Sequence, residues 1–220
     1  MTETISFATI KKSFNEVLAH LEENRQYLND LDSPIGDSDH GESVTAAFRK
    51  VKEAVDAFPS DQNDIGVLLQ SIGKAIIFSG GAAMGPLYGT AFLDAGTAVA
   101  GKEVLTREDL VSLMEAFAHG IERRGKVKLG EKTMYDTIYP VAQALKKACD
   151  EGKTLSEMIK AGIDAAKQGM ESTKDMLSLR GRSSRLGDRS IGHIDPGAAS
   201  SYFIIEAFLG SMIKELSNIS

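Results

Sequence analysis

The chain has 220 residues, enough for one domain with a sizeable core, because a domain of that size buries roughly 70 % or more of its unfolded surface. Its 25 basic and 31 acidic residues leave a net charge of -6, which gives no general attraction to nucleic acid or to an anionic membrane surface. The single cysteine, Cys149, excludes an internal disulfide and fits a cytoplasmic setting; Met1-Thr-Glu-Thr lacks the basic start and apolar run of a signal peptide, and no stretch reaches the ~18 apolar residues that span a bilayer.

Apolar residues at Phe7, Ile10, Phe14, Val17 and Leu21 recur every three or four positions and predict an amphipathic helix that Leu28 and Leu31 extend. The rhythm returns at Val44, Phe48, Val51, Val55 and Phe58, and further helices are expected over 64–78 and 86–100. Leu110, Leu113 or Met114, Phe117 and Ile121 mark the next, started by Thr106 with Asp109 and by a Leu105–Leu110 staple. A helix over 133–149 is expected to kink at Pro140 and to hold Cys149 in a buried apolar position. Thr154 and Glu157 form a capping box ahead of a helix over 155–172, and the last spans 198–216. β-Branched residues do not cluster and apolar–polar alternation never lasts more than a few positions. The fold class is all-α, with eight helices in one domain over residues 1–220.

The 21 glycines concentrate in Gly36–Gly41, Gly80–Gly89, Gly120–Gly130 and Gly181–Gly197, at breaks between the helical patterns. Four special loops result. The sharpest is Leu31-Asp32-Ser33-Pro34-Ile35-Gly36-Asp37-Ser38-Asp39-His40-Gly41, which crowds three carboxylates into eight residues. Like charges that close raise one another's pKa unless a cation intervenes, so the loop either lies open in water or binds metal; the residues alone weigh the two equally. A calcium EF-hand fails, because Gly41 and Phe48 stand where that loop needs ligands. Three carboxylates without the rest of a cage suit magnesium, which completes its octahedron with phosphate oxygens and water. A helix starts just after His40-Gly41-Glu42-Ser43, so its free N–H groups and positive dipole end face the same place.

Conventional phosphate loops are missing: Gly66 and Gly73-Lys74 have the wrong spacing for a P-loop, and Ala75 replaces the required hydroxyl. Ser79-Gly80-Gly81-Ala82-Ala83-Met84-Gly85-Pro86-Leu87-Tyr88-Gly89-Thr90 opens a helix with small residues, for tight packing or for presenting amides to phosphate. Met134 begins a helix where it fills core or lies against an adenine ring. The segment from Leu179 to Gly197 places Arg180, Arg182, Arg185 and Arg189 in one loop of an acidic protein, and the fixed fork of an arginine matches phosphate.

Read together, Gly36-Asp37-Ser38-Asp39-His40-Gly41, Gly85-Pro86-Leu87-Tyr88-Gly89-Thr90, Lys132-Thr133-Met134 with Asp136 and Pro140, and Gly187-Asp188-Arg189-Ser190-Ile191-Gly192-His193-Ile194-Asp195-Pro196-Gly197 resemble the ADP-binding L subunits of dihydroxyacetone kinases and the C-terminal nucleotide domain of the single-chain, ATP-dependent kinases. The likeness spans nearly the whole chain. It implies an eight-helix antiparallel up-and-down barrel with the nucleotide held in loops at one end. It implies that Asp32, Asp37 and Asp39 bind two magnesium ions, and that His40, Gly41, Glu42, Ser43, Ala83, Met84 and Leu87 line the phosphates and nucleoside. Gly125 and Met134 correspond to adenine-side residues, Arg182 to the phosphate-contacting arginine, and Asp195, Pro196 and Gly197 to the closing loop. Three positions depart from the family's pattern: Ser38 stands for Gly or Ala, Met84 for a phosphate-contacting serine, and Glu131 for Asp.

The resemblance also implies partners. A separate K subunit holds the ketose, and this chain supplies the γ-phosphate, either from ADP rephosphorylated by a phosphohistidine protein of the sugar phosphotransferase system or from exchanging ATP. A relative acting on another keto sugar fits the same residues, and a homodimer is compatible with them. A rival class is a regulatory module whose nucleotide state controls a transcription regulator. A phosphatase using the Asp37–Asp39 pair lacks the buried strand that such enzymes place before it.

Overall fold

The structure is a computed structural model that describes residues 3–78 and 84–219. Among these, nine α-helices carry the fold: α1 Phe7–Glu23, α2 Arg25–Asp32, α3 His40–Asp56, α4 Ile65–Phe78, α5 Met84–Ala98, α6 Arg107–Gly125, α7 Tyr135–Asp150, α8 Leu155–Ser172 and α9 Pro196–Ile219. The expected count of eight is corrected at one place. The first periodic segment does not run on through Leu28 and Leu31, because Asn24 leaves helical geometry at φ -98°, ψ 7° and its side chain donates to the His20 carbonyl at 2.9 Å. Leu28 is nevertheless buried, from the short helix α2 that follows.

Local chemistry starts the helices where the sequence signals it. Ser6 accepts from the Thr9 amide at 3.1 Å and caps α1. Reciprocal capping boxes stand at Thr106–Asp109 and at Thr154–Glu157, each satisfying two amides that a helix start leaves unpaired. A two-residue antiparallel ribbon that carries no sequence signal pairs Ile5 with Leu105 and Ser6 with Val104. Pro140 stands inside α7 without dividing it. The Asp136 carbonyl loses its i+4 donor there, and Gly169 of α8 lies so close that any Cβ would overlap that oxygen. Cys149 is half-buried rather than sealed in the core, its Sγ 3.9 Å from the Glu108 carboxylate.

The helices pack in chain order. Each of α3 to α8 lies against the next, α9 returns against α1, and α1 lies against α3. Their inner faces meet in one core that includes Phe14, Phe48, Tyr88, Phe92 and Phe117. No helix among the described residues is long and apolar enough to cross a membrane.

The tightest pairing, α4 on α5, explains glycines that do not belong to phosphate loops. A Cβ at Gly66 would lie 2.5 Å from the Gly96 carbonyl oxygen and 2.7 Å from Ala100 Cα, and one at Gly73 would lie 2.8 Å from the Gly89 oxygen. The atoms in the way are backbone, which cannot step aside. In Gly66→Ala the overlap outweighs the helix propensity gained, for a net loss of ~1–2 kcal/mol. Thermal unfolding followed by circular dichroism should show Tm lowered by about 2–8 °C; an unchanged Tm would mean that the two helices have room to part.

Candidate functional site

The chain order of the helices decides where the loops meet. The first residues of α3 (His40), α5 (Met84) and α9 (Pro196), the residue before α7 (Met134), and the last residues of α2 (Asp32) and α6 (Gly125) all line one cavity of about 600 Å³. Four helix N-termini thus border it, each carrying partial positive charge.

The acidic loop forms one wall. Ile35 is buried and anchors it, while Gly36 donates from its amide to the Asp32 carbonyl at 2.6 Å. A Cβ at Gly36 would overlap the Asp32 carboxylate, so only glycine leaves that carboxylate in place. Asp32 in turn accepts from the Asp39 amide at 3.2 Å. Asp32, Asp37 and Asp39 bring carboxylate oxygens within 4.8 Å of one another, Asp32 the most enclosed and the others exposed.

The start of α3 is arranged differently from a bare anion site. The Gly41 amide donates to the Asn29 side chain at 2.8 Å, and the Ser43 amide to the Asp39 carbonyl at 2.9 Å. Gly41 is buried against the Arg25 carbonyl, with no space for a Cβ. Glu42 points to the outside, where it pairs with Arg25 at 3.2 Å. Neither Gly41 nor Glu42 lines the cavity, whereas His40 and Ser43 do. The His40 Nε2 lies 2.9 Å from the Ser200 hydroxyl. Burial pushes its pKa down to about 4 against the pull of Asp32, so its ring is neutral at neutral pH.

The opposite wall is the arginine segment. A buried knot of serines folds it: the Ser178 and Ser183 hydroxyls lie 2.6 Å apart, and the Ser178 amide donates to Ser190 at 2.9 Å. From this knot Arg182 reaches across the cavity and forms an ion pair with Asp37. Arg180 grips both carboxylate oxygens of Glu131, at 2.9 and 3.0 Å, and the Lys126 carbonyl at 2.8 Å. That clamp fastens the arginine segment to the loop after Gly125. The same loop is shaped by buried Asp136, which accepts from the Gly130 amide at 2.6 Å and the Thr133 amide at 2.8 Å.

Of the residues expected at the site, the cavity brings together Asp32, Asp37, Asp39, His40, Ser43, Met84, Leu87, Gly125, Met134, Arg182, Asp195, Pro196 and Gly197. Ala83 lies outside the described residues. Pro86, Arg124, Thr133, Ser183, Arg180 and Lys132 also line it without having been assigned a role from sequence. Asn29, which orients α3, carried no signal either, because its partner amide is twelve residues away.

Fold and cavity together define an all-helical protein with a ligand-sized pocket that sets three carboxylates against an arginine. Residues 34–210 match the family model of the DAK2 domain, and the chain belongs to that family. It is 39 % identical over 201 residues to the "PEP-dependent dihydroxyacetone kinase 1, ADP-binding subunit DhaL" of Listeria innocua, covering 91 % of this chain and 94 % of that protein. The corresponding subunit of Escherichia coli is 38 % identical over 181 residues, covering 82 % of this chain and 85 % of that one. In fold the chain resembles the dihydroxyacetone kinase of C. freundii solved with AMP-PNP and Mg2+, at a TM-score of 0.69 and 24 % identity over 96 % of this chain and 35 % of that one.

Asp195 gives the site a pH signature. It caps α9, accepting from the Ala198 amide at 2.8 Å, and burial raises its pKa from 3.8 to about 7, while that amide and Lys132 act the other way. Part of its surface faces the cavity, where water softens the shift. Because the folded chain holds this proton more tightly than the unfolded one, stability falls as pH rises between about 4 and 7, by at most about 1.4 kcal/mol per unit. Asp195→Asn removes that slope and keeps an oxygen for the cap. Urea unfolding at pH 5 and pH 7.5 should show wild type losing ground to the variant as pH rises; parallel profiles would count against a buried, proton-holding Asp195.

Proposed function

We infer that this chain is the ADP-binding subunit of a phosphoenolpyruvate-dependent dihydroxyacetone kinase, a phosphotransferase. Near-full-length identity to such subunits supports the reading, and one observation carries its chemistry: a nucleotide-sized cavity faces three clustered carboxylates with Arg182. The donor set fits magnesium, since the clustered acids are hard oxygen ligands, open enough to leave positions for phosphate and water. We take two magnesium ions, held by Asp32, Asp37 and Asp39, as the complement of one ADP or ATP. When bound they supply the positive charge that offsets the charge of the transferring phosphoryl group.

The chain's own residues orient the nucleotide. His40, Ser43, Met84 and Leu87 border the phosphates and nucleoside, with Ala83 assigned beside them from the family resemblance. Gly125 and Met134 flank the adenine, and Asp195, Pro196 and Gly197 close the other side. Gly41 and Glu42 act as scaffold for this wall. Arg182 exchanges Asp37 for a phosphate oxygen and gives the chain its catalytic contribution, charge stabilisation at fixed geometry, which is how phosphoryl transfer is accelerated. Neutral His40 accepts or donates a hydrogen bond there without adding charge. Met84 cannot donate the hydrogen bond of the serine it replaces, so the phosphates lean more on Arg182.

The long helices close into an eight-helix antiparallel up-and-down barrel, with α2 appended; the round of neighbours from α1 to α9 and back supports this. The whole chain is one nucleotide-binding domain of a cytoplasmic enzyme. A K subunit presents the ketose, dihydroxyacetone or a related keto sugar, at the open end, and a phosphohistidine donor protein of the phosphotransferase system rephosphorylates ADP.

Asp37→Ala should weaken magnesium-dependent ADP binding by at least about 100-fold, ~2.8 kcal/mol, while helicity stays near normal. Calorimetry showing unchanged affinity would remove the site. Wild type mixed with K subunit, dihydroxyacetone and the phosphohistidine donor should yield dihydroxyacetone phosphate. A nucleotide-dependent complex that forms no product would instead favour the regulatory module. Native mass spectrometry that finds ADP retained through purification would favour the coenzyme mode over exchanging ATP.

A further inference from the structure

Lysine is almost never fully buried unless its charge is compensated. Lys132 is 1 % exposed, on left-handed backbone at φ 61°. Its ammonium has three protons to donate. They go to three main-chain carbonyls: Thr173 at 2.7 Å, Met176 at 3.2 Å and His193 at 2.5 Å. With every donor taken, Lys132 is not free to grip a phosphate, although it borders the cavity. Asp175, and Asp195 when ionised, supply balancing negative charge nearby.

The acceptors are what matter. Thr173 and Met176 stand where the chain enters the arginine segment, and His193 stands where it leaves. One ammonium therefore closes the neck of that loop. Lesser contacts reinforce the neck: the Gly192 amide donates to the Lys174 carbonyl at 2.8 Å, and the Asp195 amide to the Thr173 hydroxyl at 3.0 Å. Beyond the neck the serine knot stiffens the loop, and at its tip Arg182 meets Asp37 on the far wall. Resting on the function proposed above, we propose that Lys132 is a positioning residue: by gathering the carbonyls at both feet of the loop 173–193, it sets how far Arg182 reaches across the cavity toward the phosphates of the nucleotide.

The test is a double-mutant cycle on the purified full chain, with Mg-ADP affinity read by calorimetry for wild type, Lys132→Met, Arg182→Ala and the pair. Lys132→Met alone should weaken binding by about tenfold, and in the Arg182→Ala background by less than about threefold, because the lysine acts through the arginine. Equal losses in both backgrounds would overturn the proposal. A second readout needs no nucleotide: trypsin should cut at the loop's own basic residues, Lys174, Arg180, Arg182, Arg185 and Arg189, about tenfold faster in Lys132→Met, with cleavage outside 173–193 unchanged, because only the loop is released. Uniform acceleration along the chain would mean general destabilisation and would also overturn it. Should Lys132→Met fail to fold, Lys132→Arg enters the same cycle with the same expectations, since a planar fork does not fit three converging carbonyls. Wild type that fails to bind Mg-ADP would defeat the functional reading itself; wild-type binding with additive losses would defeat the positioning role alone.

Discussion

Alternation along the chain is the constraint on which the site depends. The helices follow one another as neighbours, so every second helix starts at the same end, and α3, α5, α7 and α9 all begin around one cavity. Each start carries roughly half a positive charge. Against that field, three carboxylates at and just beyond the end of α2 bring oxygens within 4.8 Å of one another with less repulsion than they would feel elsewhere. Arg182 completes the balance from the opposite wall. Acids and arginine are far apart in sequence, and it is the packing order of the helices that makes them face each other.

Around the groups that touch the cavity stands a layer that holds them in shape. Asn29 takes the Gly41 amide and aims α3, Gly36 gives the Asp32 carboxylate its space, and Asp136 folds the 130–134 turn. The departure at Glu131 has a structural partner, since its longer side chain receives Arg180 through both oxygens and ties the two loops that flank the pocket. Because Arg180 is exposed, this clamp is a modest contributor to stability; its value lies in geometry.

The helical scaffold was legible because a 3.6-residue rhythm and two capping boxes are local signals, written within a few residues of where they act. The acidic loop was legible for the same reason, with Asp32, Asp37 and Asp39 inside eight residues. What escaped is long-range. Arg180 meets Glu131 across 49 residues and Lys132 meets His193 across 61, and neither pairing leaves a trace in the local pattern. Lys132 also runs against ordinary expectation for a lysine, which is exposed in most settings. The short ribbon of Ile5 and Leu105 is too brief to alternate. The glycines of α4 and α5 did carry a signal: Gly66 and Gly73, like Gly89 and Gly96, stand one heptad apart, which puts each pair on a single helix face.

The ion pair between Arg182 and Asp37 has a thermodynamic corollary. Under the function proposed above, the guanidinium that would meet an incoming phosphate is the same one that shields a carboxylate that would hold a cation, so the two ligands compete with one protein contact rather than with each other. Whichever arrives first liberates the counter-charge the second one needs, and by linkage each must tighten the other by the same factor. On that reading, affinities for metal alone and for nucleotide alone understate how firmly the chain would hold them jointly.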